Sequence, residues 1–205
     1  MTLNTAMAIR ALIFDFGGVL IYDADDHKRR AWESRLGLEA HHLDELVFHS
    51  EVSVRATVGK VPVTAIWDHV GKILNLSPKD LQQLQADFWW GDRVRQELLD
   101  FIGQMQAEYR IAILSNAWSN ARQVFIERFH FDIVSELMII SAEVGLAKPD
   151  PRIYTLTLEQ LAVAPEEAIF VDDVLENVLA ARALGIHAIQ FETTAQVITT
   201  IKALL

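Results

Sequence analysis

Four groups of polar side chains each follow a short apolar run of the sequence. Burying an acid beside an apolar strand costs free energy unless the charge is paired or used. Taken singly, each group has an ordinary explanation as a turn or a helix cap, but all four together are much harder to explain that way. The groups are Asp15 after ALIF, Ser115-Asn116 after RIAIL, Lys148 in GLAKPDP, and Asp172-Asp173 after AIFV.

These groups contain the residue types that phosphoryl transfer requires. Three carboxylates in one place, Asp15, Asp172 and Asp173, repel one another and favour a hard cation such as Mg²⁺. Ser115 and nearby backbone amides are donors for a phosphoryl oxygen, and Lys148 neutralises both the nucleophile and the incoming phosphate. Attack by the Asp15 carboxylate on phosphorus would give an aspartyl-phosphate that water later hydrolyses.

Alternating strand-like and helix-like segments are expected to position the four groups. Strands of this kind, separated by helices, predict βαβ units and a three-layer α/β fold with a parallel sheet, in which ligands bind beyond the carboxyl ends of the strands. The predicted strands are 9–14, 110–114, 137–140, 168–171 and 187–191, and the predicted helices between them include 119–129, 151–161 and 176–184.

A different kind of segment separates the first strand from the second. Residues 25–91 show helical periodicity and little strand character, as in AIWDHVGKIL and PKDLQQLQADFWW. The segment is far too long for a simple crossover connection. We therefore predict a helical cap, residues 23–92, inserted into an α/β core formed by residues 1–22 and 93–205.

The motifs resemble those of the haloacid dehalogenase (HAD) superfamily of hydrolases over nearly the whole chain. FDFGGVL is similar to motif I, ILSN to motif II, KPDPRIY to motif III and IFVDDVLENVLAARALGI to motif IV. The insert lies where this family carries its C1-type helical cap. The DFGGVL form of motif I is most similar to the branch that includes sugar-phosphate phosphatases and the phosphatase domain of soluble epoxide hydrolases. The resemblance implies a Rossmann-like sheet in the strand order 5-4-1-2-3.

On the metal side, the resemblance implies Mg²⁺ dependence. Asp15 matches the family's nucleophile and metal ligand, and Gly17 would offer its backbone carbonyl to the ion. Asp173 matches the direct ligand of motif IV, with Asp172 acting through water. Asn177 falls near the position where some members carry a further polar group.

On the phosphate side, the resemblance assigns Ser115 and Asn116 to phosphate binding and Lys148 to charge neutralisation. Gly18 belongs to the turn of motif I and is expected to contact the substrate. Two cations of the cap, Arg55 and Lys60, are candidates to bind a second polar group of the substrate, although solvated cations beside a loop are the more ordinary explanation. The tryptophans of the cap either line an apolar substrate wall or belong to the cap core.

Gly17 departs from the family pattern, which usually has a second aspartate there. That aspartate protonates the leaving group and activates water, a contribution of about 10²–10⁴-fold in rate. Three explanations remain open. The acid comes from elsewhere, such as Asp23, Asp25, a cap residue, the substrate or metal-bound water; or the enzyme handles only good leaving groups or works slowly; or the site binds without turnover. We favour the first.

The function predicted from the sequence is a Mg²⁺-dependent phosphatase of a small phosphorylated metabolite. The alternative is a non-catalytic phosphate- or metal-binding protein on the same fold. A receiver-like signalling domain also uses an acid pair and a strand-end aspartate, but its motif order differs and it has no helical insert. Dehalogenation fits less well because that branch lacks the metal.

Composition limits the other classes of function. A net charge of −10 argues against a nucleic-acid partner, and the one dense basic run, residues 27–30, is predicted to be a solvated helix face. The chain has no cysteine, which excludes disulfides and thiolate metal sites. With no apolar run long enough to span a bilayer and no signal-peptide pattern, we expect a cytoplasmic monomer or homodimer without a membrane partner.

Overall fold

The computed structural model describes residues 8–205, and its core is a five-stranded parallel sheet. The strands lie in the order β5-β4-β1-β6-β7. If only these five strands are numbered along the chain and the sheet is read from the β7 edge, this is the predicted order 5-4-1-2-3. The predicted α/β fold is thereby confirmed. The strands are β1 (Ala11–Phe14), β4 (Arg110–Ser115), β5 (Leu137–Ile140), β6 (Ala168–Asp172) and β7 (His187–Gln190).

Helices cover both faces of this sheet. Alternate residues of β1 face opposite sides, so that Leu12 and Phe14 pack in one apolar cluster and Ala11 and Ile13 in the other. The first cluster includes residues of α6 (Gln96–Met105), α7 (Ala121–Glu127) and α11 (Thr194–Leu204), and the second includes residues of α9 (Pro151–Leu161) and α10 (Leu175–Ala183). The short α8 is Ser141–Val144, and single 3₁₀ turns span Phe131–Ile133 and Pro165–Glu167.

Helix α9 shows how local sequence fixes an element next to the site. Its N-cap, Asp150, accepts a hydrogen bond from the Arg152 amide, and Pro151 occupies the first turn. A proline at this position loses no hydrogen bond and has its φ angle already set for a helix. The helix therefore begins and ends at the predicted residues.

The segment between β1 and β4 contains the cap helices. They pack around an apolar cluster of their own that includes Trp32, Leu43, Trp67, Leu84 and Phe88. The helices are α1 (His27–Leu36), α2 (His42–Asp44), a π-helical turn (Glu45–His49), α3 (Glu51–Thr57), α4 (Thr64–Ile73) and α5 (Pro78–Phe88).

A two-stranded antiparallel ribbon lies where the chain enters and leaves this helical segment, a feature absent from the sequence-based expectations. It pairs β2 (Ile21–Asp23) with β3 (Asp92–Val94). Each strand has only three partly or fully exposed residues, which is too short for a recognisable alternation of polar and apolar positions. The ribbon is close-packed at Gly91, because a Cβ atom there would collide with the Asp23 carboxylate and the Asp25 carbonyl.

The basic run at residues 27–30 differs from its prediction. Arg29 is buried, and its guanidinium pairs with both Asp23 and Asp44. Arg30 pairs with Asp44 and with Glu33, which is also buried. Arg29 and Arg30 thus belong to an ion network of the cap, whereas His27 is exposed and Lys28 partly exposed, so the prediction of a solvated face is wrong for the arginines.

Along residues 8–205, no helix is both long and apolar enough to cross a bilayer.

Candidate active site

Lys148 lies between two carboxylates at the carboxyl edge of the sheet. Its Nζ is 2.7 Å from Asp15 Oδ1 and 2.6 Å from Asp172 Oδ2, and it also donates to the Leu114 carbonyl at 2.9 Å. Asp15 directly follows β1, Asp172 ends β6 and Leu114 belongs to β4. Three adjacent strands therefore converge on one ammonium group, as expected for the edge of a parallel sheet.

Burial and charge act in opposite directions on this pair. Burial raises the pKa of Asp15 to about 6, against the pull of the nearby Lys148 charge. Burial alone would lower the pKa of Lys148, but the charges of Asp15 and Asp172 outweigh it, so this pKa is raised. The lysine stays protonated at neutral pH, whereas Asp15 gains from any further positive charge placed beside it.

Asp172 is fully buried, and both of its carboxylate oxygens accept hydrogen bonds from the protein. Its Oδ1 accepts from the Val174 amide at 2.8 Å, and the Asn177 side chain donates to both of its oxygens at 3.1 Å. Tyr154 donates in turn to the Asn177 carbonyl at 3.0 Å. Together with the Lys148 contact, these bonds commit both oxygens of Asp172 to the protein.

Asp173 is the exposed member of the acid pair, and it faces the glycine turn after β1. Gly18 has φ +77°, and a Cβ atom at this position would collide with the Asp173 carboxylate. Only glycine meets both the left-handed backbone and this close approach without strain. Burial and the neighbouring Asp172 charge raise the pKa of Asp173.

The three acids meet the requirements of a hard cation. One oxygen each from Asp15, Asp172 and Asp173 lies within 4.8 Å of the other two. Oxygen donors of this charge and spacing suit Mg²⁺, which needs one or two carboxylates and keeps several waters. The raised pKa values of Asp15 and Asp173 also favour a bound cation, because a positive ion would relieve the repulsion that contributes to these shifts.

The loop after β4 is fastened to the Lys148 loop. Asn116 donates from Nδ2 to the Lys148 carbonyl and accepts from the Lys148 amide, both at 2.8 Å. The neighbouring Ser115 is buried at the end of its strand, and Ser141 Oγ bonds to the amide and the carbonyl of Ala117. The Asn116 side chain thus holds two loops of the site together.

Space around Gly17 is open. An added Cβ atom meets nothing within 4 Å, and the residue is exposed. The two acids considered as substitutes for the missing aspartate are engaged at the ribbon: Asp23 pairs with Arg29, and Asp25 lies 2.6 Å from His27 Nδ1. Hydrogen bonding to His27 lowers the pKa of Asp25, which suits it poorly for donating a proton near neutral pH.

A family model for haloacid dehalogenase-like hydrolases matches residues 9–185, which include all four motif regions. The chain belongs to this family.

Relatives of the HAD hydrolase include proteins of different lengths. The present chain is 25% identical over 194 residues to D-ribitol-5-phosphate phosphatase of Bacteroides thetaiotaomicron; the alignment covers 91% of this chain and 94% of that protein. It is 28% identical over 208 residues to acyl-CoA dehydrogenase family member 10 of mouse, covering 96% of this chain but only 19% of that protein. The chain thus spans nearly all of one relative and about a fifth of the other.

Among solved structures, the HAD hydrolase is similar to a HAD family enzyme from Bacteroides thetaiotaomicron in complex with magnesium and inorganic phosphate. The TM-score is 0.76 at 22% identity, over 90% of this chain and 95% of that one. Similarity at this identity establishes a shared fold.

The two cap cations of the HAD hydrolase lie on the exposed end of α3 and the following turn. Arg55 and Lys60 are both exposed, and within residues 8–205 their side chains form no ion pair. Gly59 between them has φ +70° and approaches the core so closely that a Cβ atom would strike the Ala142 carbonyl. The turn carrying these cations therefore touches the core at α8.

Sequence reasoning did not find Arg95, which follows the ribbon. Its Nη2 donates to the Gly18 carbonyl at 3.2 Å, and its guanidinium lies over the rings of Tyr22 and Phe191 at 4.4 and 4.8 Å. Its charge also lowers the pKa of Asp173, against the larger effect of burial. A single arginine ahead of a helix carries no sequence pattern that would indicate this role.

Proposed function

We propose that this HAD hydrolase is a Mg²⁺-dependent phosphatase that cleaves monoesters of a small phosphorylated metabolite through an aspartyl-phosphate. The observation that carries the proposal is the contact of Asp15 with Lys148 at 2.7 Å, beside the acid pair of motif IV. A relative named for its action on D-ribitol 5-phosphate supports the substrate class.

Asp15 is the nucleophile in this proposal. Its carboxylate attacks phosphorus in line with the departing ester oxygen, while Lys148 neutralises charge on the transferring group. Lys148 is held by Asp172 and by the Leu114 carbonyl, so its ammonium needs no rearrangement to act. Ser115 and backbone amides of the glycine turn would donate to the phosphoryl oxygens, and Asn116 would fix the loop that carries them.

Mg²⁺ would be held by Asp15, Asp173 and the Gly17 carbonyl. Asp172 would not contact the ion directly, because its oxygens are already bonded to Lys148, Asn177 and the Val174 amide. When bound, the ion offsets the charge of the phosphoryl group and of the carboxylates. Arg95 positions the turn by holding the Gly18 carbonyl.

Two further parts of the proposal concern the whole chain. We propose a core of residues 1–22 and 93–205, of which residues 1–7 lie outside the described part of the chain, and a cap of residues 23–92, whose exposed Arg55 and Lys60 would bind a second polar group of a substrate. The protein would act in the cytoplasm as a monomer or homodimer.

The test is phosphate release from p-nitrophenyl phosphate and a panel of sugar phosphates, with Mg²⁺ and with a chelator. We expect turnover that needs Mg²⁺ and is abolished by Asp15→Asn. Asp132→Asn, which changes an exposed aspartate of a 3₁₀ turn, is the matched control and should keep full activity.

The rival function, phosphate or metal binding without turnover, is favoured by one observation, the absence of an acid at Gly17. It predicts that Mg²⁺ and inorganic phosphate bind in calorimetry while no ester is hydrolysed. That result would overturn the phosphatase proposal.

A further inference from the structure

Three aromatic side chains meet between the cap and the core, and we refer to Phe48, Trp89 and Trp118 as the aromatic wall. Phe48 stacks on Trp118 with ring centroids 5.9 Å apart and planes 22° from parallel. Trp89 meets Phe48 edge-on at 5.7 Å and Trp118 at 6.0 Å. Phe48 and Trp89 belong to the cap, whereas Trp118 lies in the core loop after β4.

Trp118 is tied to the phosphate end of the proposed site. It comes three residues after Ser115 in the sequence SNAW. The residues between them are fixed, because Asn116 bonds to the Lys148 backbone and Ala117 bonds to Ser141 Oγ. The backbone that carries Trp118 is therefore tied to the loop of Lys148, and its indole extends towards the cap cluster, against which it packs.

The wall keeps apolar surface in solvent. Phe48 is 40% exposed. Trp89 and Trp118 are both partly exposed as well. Exposed aromatic surface beside a polar site is a common feature of ligand pockets, where it binds the apolar part of the ligand.

Gly17 restricts the leaving group independently of the wall. With no carboxylic acid at this position, protonation of the departing oxygen loses its usual donor. An aryl oxide is a weak base and departs readily without prior protonation, whereas the more basic alkoxide departs far more slowly unless a proton is supplied. The open space at Gly17 and the aromatic wall thus favour the same kind of ester.

We propose that the leaving group of the substrate is aromatic and that the aromatic wall binds its ring; this rests on the proposed phosphatase function. A bond forms between Asp15 Oδ and phosphorus as the bond from phosphorus to the aryl oxygen breaks. The aryl oxide leaves with that electron pair and takes a proton from water. A second water then attacks phosphorus, releasing inorganic phosphate and a proton and restoring the Asp15 carboxylate.

The competing explanation is that the wall only fastens the cap to the core. In that case its residues affect all ligands alike, since they would govern closure rather than contact with the leaving group. Binding of phosphonates, which have no cleavable ester bond, separates the two explanations without depending on turnover.

The first experiment compares competitive binding of phenylphosphonate and methylphosphonate in the presence of Mg²⁺. We expect the wild type to bind phenylphosphonate about tenfold more tightly, in keeping with one or two aromatic contacts. Trp118→Leu and Phe48→Leu retain an apolar side chain but remove the ring, and should abolish this preference while leaving methylphosphonate affinity unchanged. Circular dichroism verifies that each variant is folded.

Trp90→Leu is the matched control. Trp90 is an exposed tryptophan next to Trp89, but it packs against Lys28, Arg93 and His27 rather than in the wall. Its substitution should preserve the preference for phenylphosphonate. Equal weakening of both phosphonates by the wall variants, or no preference in the wild type, would overturn the inference.

The second experiment measures kcat/KM for a series of substituted phenyl phosphates and for alkyl phosphates. We expect rates that rise steeply as the leaving phenol becomes more acidic, with alkyl phosphates slowest. Alkyl esters cleaved as fast as aryl esters would overturn the inference while leaving the phosphatase function intact. Absence of turnover with the phenylphosphonate preference retained would overturn the phosphatase function and support the ligand class.

Discussion

At the scale of single residues, Lys148 compensates the negative charge that is buried in the site. It separates two carboxylates that would otherwise be buried side by side, Asp15 and Asp172. A buried ion pair contributes little net stability when complete, but removing one partner leaves uncompensated charge. The site is thus stable in its charged form only as long as the lysine is present.

Replacing Lys148 by Met should therefore destabilise the fold by about 3–5 kcal/mol at pH 8. The loss should be smaller at pH 5, because Asp15, whose pKa burial raises to about 6, then takes up a proton. Urea unfolding at both pH values measures the difference. The double variant Lys148→Met/Asp172→Asn removes one of the unpaired charges and should recover part of the stability; no recovery would contradict this account.

The acid that is missing at position 17 can be restored by substitution of Gly17. Its backbone has no positive φ and a side chain would enter open space, so Gly17→Asp should fold. If protonation of the leaving group limits turnover, the variant should cleave alkyl phosphates faster, up to about 10²-fold, with little change for aryl phosphates.

Gly17→Asn is the control for this variant, since its side chain has the same shape but no acidic proton. The measurement is kcat/KM on both ester classes. A folded Gly17→Asp protein with unchanged or lower rates on alkyl phosphates would mean that the acid is supplied elsewhere or that chemistry is not rate-limiting.

At the scale of elements, Asp44 is one of two carboxylates that join α1 to α2; the other is Glu33, which accepts from the Leu43 amide at 2.9 Å. Asp44 accepts from Arg29 at 2.6 Å and from Arg30 at 2.5 Å. Burial alone would raise the pKa of Asp44, but the two guanidinium groups outweigh it and lower that pKa below 3.8. The native state therefore holds the proton less tightly than the unfolded chain, and the stabilisation is present above the unfolded pKa.

Asp44→Asn should accordingly lower the free energy of unfolding by about 1–3 kcal/mol at pH 7. The gap between wild type and variant should shrink as pH falls below about 4, where the wild-type carboxylate is protonated too. Denaturant unfolding between pH 3 and pH 7 measures the gap. Asp68→Asn, an exposed cap aspartate, is the control; a gap that stays constant with pH would refute the ion-pair explanation.

At the scale of the whole molecule, the turn at Gly59 sets how closely the cap approaches the core. Gly59→Ala would force a Cβ atom against the Ala142 carbonyl and push the cap outward. Gly37→Ala is a matched control, because Gly37 has a similar φ of +67° but nothing within 4 Å of its added Cβ. Each variant has the same backbone cost of about 1 kcal/mol.

Only Gly59→Ala should alter catalysis, since only it displaces the cap. We expect a larger loss of thermal stability in Gly59→Ala, because the clash adds to the shared backbone cost, and a lower kcat/KM in this variant alone, because an open cap admits water and misplaces the substrate. Equal kcat/KM for the two variants would show that this contact does not govern closure.

The prediction from sequence succeeded where local signals and the core agreed. Asp150 and Pro151 begin α9 at the predicted residue, and the apolar runs ending at Asp15, Ser115 and Asp172 are adjacent strands. It missed the two-stranded ribbon, and it wrongly predicted that the basic run of α1 is wholly solvated. Arg29 has the sequence context of a surface residue, and it is buried by contacts with Asp23, Asp44 and the ring of Phe88, the last of which lies far along the chain.

By itself, the sequence indicated the family and the α/β fold, because alternation, caps and strand-end motifs act over a few residues, and the family resemblance supplied the sheet order; the assigned site residues remain predictions, and Arg95 was not among them. The tertiary structure decided which of them share contacts: Asp172 bonded on all sides, Asn116 holding the Lys148 loop, and Phe48 stacked on Trp118. These depend on the packing of segments far apart in the chain, where short-range patterns carry no information about which side chains meet.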